Sequence, residues 1–599
     1  MKSRGQLAKD KKITESPSED AQRSRIFRNP IPGALNKALA CALVSTLIAI
    51  FLVSNDGHMG RWWSAVYLKS HGYSFPDLYE ASITELQDGL SSGHFSSVQL
   101  VKAYLTRIEE VNLKGPKLRS ILEINPFAIR YASQLDAERR RRGKRSLLHG
   151  IPILVKDNMA TRLPDGMNTT AGSYSLLGSI VSDEAEAIKR LRKAGAIIIG
   201  KTNLSEFSHF RSELLALGWS ARGGQSNGAY YPGADPCGSS SGSAIAVSIG
   251  LATAALGSET DGSIACPSSN NNVVGIKPTV GLTSRSGVIP ISSNQDSVGP
   301  ITRSVTDAAI ILSILSGKDK KDKHTLLQPS LVPDFTMALR KDAFKGKRIG
   351  VPRKVFLDGS MGKYDPSVIL AFRDALDVIT KLGATVIDPA DLPSAKAISV
   401  AVTESEFLVT DVDFKIEINA YFQSLKSNPS RVRSLEDLIK FNDKHPELEK
   451  PTGFEDQSRL TQAQARNGRD TEYFEALALN HYLGRKNGID AAIKQYNLDA
   501  LVLPSPGYTL GTTPAALAGY PIVTVPLGFY PDHVSPVKSG PDIFYPAPGI
   551  PFGLLIFGTA FSELELIAFA FAFEQETRTR LKRKAFESAV PRTQLKDFK

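Results

Sequence analysis

Cysteine is scarce, with three residues in 599. That excludes a small fold stapled by several disulfides and any four-cysteine zinc site. Histidine is sparse too, nine in all, and no group of Cys and His has metal-ligand spacing. No metal or other cofactor is therefore expected. A basic face interleaved with aromatics is also missing. The net charge is +11, but residues 1–37 alone hold nine Lys or Arg against four Asp or Glu. The one dense basic run, Arg139 to Arg145, reads as the solvated end of a helix. No nucleic-acid partner is expected. With 42% hydrophobic and 22% charged residues, fibrous and wholly disordered classes are excluded. A prior of about 150 residues per domain suggests roughly four units, although single-core α/β enzymes run much longer.

Residues 1–33 are polar, basic and without apolar periodicity, and are expected to be a disordered cytosolic tail. The run Ala38 to Val53 then carries no charge over 16 residues. Three readings compete for it. A cleaved signal peptide would have an unusually long polar leader and lacks a clean small-x-small site. A buried core helix would follow a disordered tail awkwardly. A single-pass anchor over 34–56 fits best. The positive-inside rule then places everything after it in a lumenal or extracellular space. Residues 57–74 read as a stem, and 75–590 as the catalytic part.

From Phe75 onward, helical periodicity alternates with short apolar strands: Gly150 to Val155, Ala196 to Ile199, Ala500 to Leu503 and Ile522 to Val525. This alternation predicts an α/β sandwich. Ser243 to Leu256 is small and apolar, and a packed helix is expected there. Residues 415–490 are polar and helical in pattern, and read as an insertion or cap.

Two motifs are rejected on physical grounds. Residues 195–202 match G-x-x-x-x-G-K-[ST], but the middle Ala-Ile-Ile-Ile is strand material that cannot turn its N–H groups toward phosphate. A Ser-His-Asp triad lacks its strand-borne G-x-S-x-G elbow, and His149 and His209 read as structural. The informative stretch runs from Pro236 to Thr279. CGSSSGS (237–243) leads into a small-residue segment, and a second Ser turn, GSETDGSI (257–264), follows. Tight Gly/Ser turns leave backbone N–H groups bare, and beside a serine hydroxyl such a nest becomes an oxyanion hole. Lys156 ends an apolar strand, where burial would lower its pKa and make it a proton acceptor.

With GIPILVKD (150–157), GKTNLSEF (200–207), GIKPT (275–279) and DSVGP (296–300) added, the chain resembles the amidase signature family over roughly residues 75–585. In motif form it is similar to the branch holding bacterial peptide amidase and fungal and plant amidases. The resemblance implies a mixed β-sheet core sandwiched by helices and a Ser–cis-Ser–Lys triad. Ser263 would be the nucleophile, Ser239 the bridge and Lys156 the base. Main-chain N–H groups of Thr260, Asp261, Gly262 and Ser263 would form the oxyanion hole, with Ser240 as a supporting hydroxyl. The chain departs from the broad family at Glu259, Asp261 and Ala265. The side chain of Asp261 could meet the substrate or hold the loop.

The implied activity is hydrolysis of a carboxamide to an acid and ammonia or amine, without a cofactor. Unsubstituted or C-terminal carboxamides, small or peptidic, are the expected substrates, selected by segments near 215–235 and 405–490. Two rivals stand beside it: an A-type amidotransferase chain, and a catalytically silent binding protein of the same fold. The sequons at Asn168 and Asn203 are compatible with a lumenal or extracellular location.

Overall fold

The computed structural model describes residues 74–359, 364–507 and 509–598. The tail, the anchor segment and all but the last residue of the stem lie outside the described residues. Among the described residues no helix is long and apolar enough to cross a membrane.

The compact unit begins at Phe75. Its first two helices, Ile83–Ser91 and Ser97–Val111, each open on a capping box, Ser82 with Glu85 and Ser96 with Gln99. Each box satisfies two N–H groups that the helix start would otherwise leave bare. Ile83, Leu86 and Leu90 form the buried stripe of the first helix.

Eleven strands build one mixed sheet: β1 Ile121–Ile124, β2 Pro152–Lys156, β3 Ile197–Thr202, β4 Ala254–Glu259, β5 Val274–Lys277, β6 Ser297–Thr302, β7 Arg348–Gly350, β8 Thr385–Ile387, β9 Ala500–Ser505, β10 Ile522–Phe529 and β11 Pro551–Phe557. Their spatial order is β1-β3-β2-β4-β6-β5-β10-β11-β9-β7-β8. β2 lies parallel between β3 and β4, while β4–β6, β6–β5 and β5–β10 are antiparallel. Every residue of β2, β3 and β4 is buried, which is why these strands read as unbroken apolar or small-residue runs. The α/β sandwich expected from the sequence is the observed architecture.

The single helix expected over 243–256 is instead helix Ser241–Ser248, a turn, and then β4. Gly250 makes the break: its φ is +69°, and a Cβ there would stand 2.2 Å from the Leu78 carbonyl oxygen. Small residues pack equally well in a buried helix or a central strand, so the pattern could not separate them. Between β8 and β9 the chain is helical from Ala395–Ala401 to Asp490–Tyr496, a wider span than 415–490. At the other end, residues beyond 590 belong to the compact unit. Arg107, fully buried, donates to the carbonyls of Pro591 and Thr593.

The supposed phosphate loop is β3, with Lys201 buried and 3.5 Å from Asp157. Asn168 is a half-buried loop residue, whereas the second sequon is enclosed. Asn203 is fully buried and donates to the carbonyls of Arg119 and Gly224, and Asn168 is bonded to Glu123.

A disulfide joins Cys237 to Cys266, with Cα atoms 5.8 Å apart. It ties the turn before Ser239 to the helix Ala265–Asn270 that follows Ser263. In unreduced, denatured protein only Cys41 should titrate with a thiol reagent, and non-reducing peptide mass spectrometry should recover Cys237 linked to Cys266. Three free thiols before reduction would refute the bridge.

Candidate active site

Lys156 is the last residue of β2 and is fully buried. Its Nζ lies 2.7 Å from Ser239 Oγ, 3.1 Å from the Ser258 carbonyl oxygen and 3.0 Å from Ser258 Oγ. No carboxylate pairs with it. The adjacent Asp157 turns instead toward Lys201 and the Thr170 hydroxyl, so a salt bridge with Asp157 is ruled out as the reason for this lysine. Burial brings the Lys156 amine down to about 7, against weaker opposing pulls from Asp296 and Glu259. A neutral amine has two N–H donors and one lone pair. That set matches one carbonyl and two hydroxyls, with one hydroxyl donating to the nitrogen.

Ser239 follows a cis Gly238–Ser239 peptide bond. Gly238 is required by closeness, since a Cβ there would sit 2.3 Å from Ser205 Oγ. Ser240 locks this turn to the strand end and to the second serine turn. Its Oγ donates to the Ser258 carbonyl, and its N–H donates to the Ser263 carbonyl, each at 3.1 Å.

The 259–266 turn is held through its side chains. Glu259 Oε2 accepts the N–H groups of Ile264 and Ala265 at 2.6 and 2.8 Å, capping the helix start with a carboxylate. Thr260 Oγ1 donates to Asp296 Oδ1 at 2.6 Å, and Asp296 Oδ2 accepts from Ile291 N. Thr512 and Thr513 donate to the two oxygens of Asp261 at 2.5 and 2.7 Å. Burial raises the Asp261 carboxyl to about 6. The Asp261 side chain therefore holds the loop, and it also lines the pocket described below. The backbone N–H groups of Thr260, Asp261, Gly262 and Ser263 donate to no acceptor among the described residues. Gly262, at φ +78°, supplies a left-handed conformation that other residues adopt only under strain.

Ser239, Thr260, Asp261 and Ser263 line one open pocket. Its apolar wall includes Phe210, Leu217, Ile291 and Phe407, and its charged wall Glu213, Glu406 and Arg459. Of the segments expected to shape it, 405–490 does so through four residues, whereas 215–235 contributes Leu217 alone. His209 lines the pocket, 4.0 Å from Glu213 Oε2, and burial holds it uncharged. His149 is buried between the Leu135 carbonyl and the Arg145 N–H. Neither imidazole bonds to Ser239 or Ser263.

Sequence reasoning missed several contributors. Asn158 donates to Ser258 Oγ at 2.9 Å and so fixes the third partner of Lys156. Asp296 and Ser258 lie inside motif blocks, which was the available signal. Thr512, Thr513 and Glu406 carried none.

The family model described as Amidase matches residues 99–567. The crystal structure of native peptide amidase from Stenotrophomonas maltophilia is similar at 40% identity and TM-score 0.75, covering 86% of this chain and 99% of that one. An Arthroderma benhamiae protein named "Putative amidase" is 40% identical over 515 residues, 82% of this chain and 84% of its own. The A-type chain of glutamyl-tRNA(Gln) amidotransferase from Myxococcus xanthus is 32% identical over 522 residues, 82% of this chain and 96% of its own. A mixed sheet ending in two interlocked serine turns over a buried lysine, together with these likenesses, assigns the chain to the amidase signature family.

Proposed function

We propose that this chain hydrolyses a carboxamide C–N bond through a serine acyl-enzyme, with Ser263 as nucleophile, Ser239 as proton bridge and Lys156 as base. One observation carries the reading. An amine with no carboxylate partner sits 2.7 Å from the Ser239 hydroxyl, behind a pocket that Ser263 also lines.

An amide carbonyl is a poor electrophile and an amine a poor leaving group, so attack, oxyanion stabilisation and nitrogen protonation must all be assisted. As Ser263 Oγ attacks, its proton passes to Ser239 Oγ while the Ser239 proton passes to Lys156 Nζ. The four unpaired N–H groups of 260–263 receive the oxyanion. The same relay, reversed, protonates the leaving nitrogen, which departs as ammonia or amine. Water then attacks the acyl-enzyme by the same route and releases the acid. Unsubstituted or C-terminal carboxamides are the substrates this reading favours, supported by the likeness to peptide amidase.

The amidotransferase reading finds support in the Myxococcus relative, but it requires partner chains, and a membrane-anchored protein suits it poorly. The silent-binder reading has to explain why a lysine is kept buried without a counter-ion. Ammonia release from a carboxamide panel by the purified full chain separates the three.

Ser263→Ala should leave only background rate with the fold intact. Lys156→Ala should cost at least about 10³-fold in kcat/KM, or about 4 kcal/mol of barrier. Ser239→Ala should be severe but milder, since water can replace a hydroxyl bridge. Combined, the three losses should fall well short of additive, because the residues act as one relay. Steady-state kinetics on each variant checks this, and near-normal amide hydrolysis by Lys156→Ala would remove the base assignment.

The base form of Lys156 predominates above its pKa of about 7. Activity should therefore rise with pH through about 7 and reach a plateau below the ordinary lysine range near 10.4. A pH profile of kcat/KM whose acid limb sits near 9 or above would contradict an uncharged Lys156.

We also propose that the chain is anchored through 34–56, with the catalytic part lumenal or extracellular. The Cys237–Cys266 bridge supports this, since such bonds persist in oxidising compartments. Carbonate-washed membranes should retain the chain, and protease added from the cytosolic side should spare the catalytic part. Extraction by carbonate would refute the anchor.

A further inference from the structure

Resting on the amidase reading above, we propose that the preferred substrates carry a cationic nitrogen, ammonium or guanidinium, close to the scissile carboxamide, and that Glu406 together with Asp261 receives it. Glu406 ends the π-helical turn Val402–Glu406 and lines the same pocket as Ser263. It is only 5% exposed. Its Oε1 accepts Gln295 Nε2 at 2.8 Å, while Oε2 has no partner. Oε2 is not sealed inside the protein, so a ligand or water can supply its donor. Asp261 lines the same pocket. Each Asp261 oxygen takes one threonine hydroxyl, which fixes the carboxylate and leaves lone pairs free toward the cavity.

The charge surrounding Glu406 favours a cation. The groups that act on it are Asp261, Arg459 and Glu213, with the Gln295 amide. Arg459 is the only guanidinium among them, and two carboxylates offset its charge, Asp411 at 2.8 Å and Glu213 at 3.6 Å, although its Nε and Nη1 carry no hydrogen bond. Its Nη2 donates to Thr410 Oγ1 at 2.9 Å, and the guanidinium sits 3.5 Å over the Phe407 ring. His209 is uncharged. The pocket thus presents three carboxyls against one guanidinium, which Asp411 and Glu213 already offset. A substrate carboxylate would meet repulsion there, and a wholly neutral substrate would leave Glu406 Oε2 bare. Burial, and after it repulsion from Asp261, raises Glu406 well above the ordinary carboxyl range, and burial also raises Asp261. Asp261 stands two residues before Ser263, so a cation held here lies close to the acyl carbon under attack.

Glu406→Gln tests the site without changing its shape. The variant keeps an oxygen for the Gln295 amide and mimics the protonated acid, so the fold should persist. Calorimetry on the full chain at pH 8 uses benzylammonium as a cationic probe and benzyl alcohol as its neutral counterpart. The dissociation constant for benzylammonium should rise about tenfold or more in Glu406→Gln, the scale of one lost charge-assisted contact, while the preference over benzyl alcohol collapses. In turnover, the ratio of kcat/KM for phenylalaninamide over N-acetylphenylalaninamide should fall by about the same factor, chiefly through KM. Unchanged benzylammonium affinity, or equal losses on both amides, would overturn the cation site while leaving amide hydrolysis standing. If neither amide is turned over by the wild-type chain yet benzylammonium binding still depends on Glu406, the amidase reading fails and the cation site survives.

Discussion

The site depends on keeping a lysine amine uncharged at the end of a buried strand. Desolvation penalises the ammonium form, and β2 is enclosed by β3 and β4 on either side, so bulk water does not reach Lys156 to offset that cost. The surrounding chain also withholds the usual remedy. Lys201, on the neighbouring strand, is handled differently, with Asp157 at 3.5 Å. Lys156 contacts only hydroxyls and a carbonyl. A carboxylate at that position would restore the ammonium and end the role as base proposed for it.

The second serine turn is organised in a related way. Glu259 caps the helix beyond it, Thr260 reaches Asp296, Asp261 reaches Thr512 and Thr513, and Cys266 is tied back to Cys237. Each anchor uses a side chain, so the main-chain N–H groups between them stay unpaired. Donors fixed in advance need no reorganisation when charge develops on the carbonyl oxygen. Both Glu259 and Asp261 bond to protein groups around the turn.

Much of this was legible in the sequence because the chemistry restricts it locally. A lysine ending an apolar strand and two Gly/Ser turns 24 residues apart can be read without a fold. The α/β alternation was legible for a similar reason, since β-branched runs such as Ile197 to Ile199 suit buried strands. Ala254 to Gly257 was not, because small residues carry no period. The pocket wall was hidden for a different reason. Glu406 and Arg459 sit in polar helical stretches far along the chain, and nothing in their own neighbourhood separates a cavity-facing acid from a solvated one. The Cys237–Cys266 bridge was equally silent, as two cysteines 29 residues apart have no local signature.

The strand order has a consequence for biosynthesis. Six strands from the first half of the chain lie side by side, five from the second half lie side by side, and the two groups meet only where β5 pairs with β10. All three residues of the proposed relay precede β5 in the chain. At translation rates of about 5–20 residues per second, the roughly 240 residues between β5 and β10 take about 12–50 s to emerge. During that interval the Val274–Lys277 edge has no strand of its own chain to cover it. An unpaired edge is a template for foreign pairing. The nascent first half is thus the stage most exposed to aggregation and to capture by chaperones, well before the pocket is enclosed by the later helices.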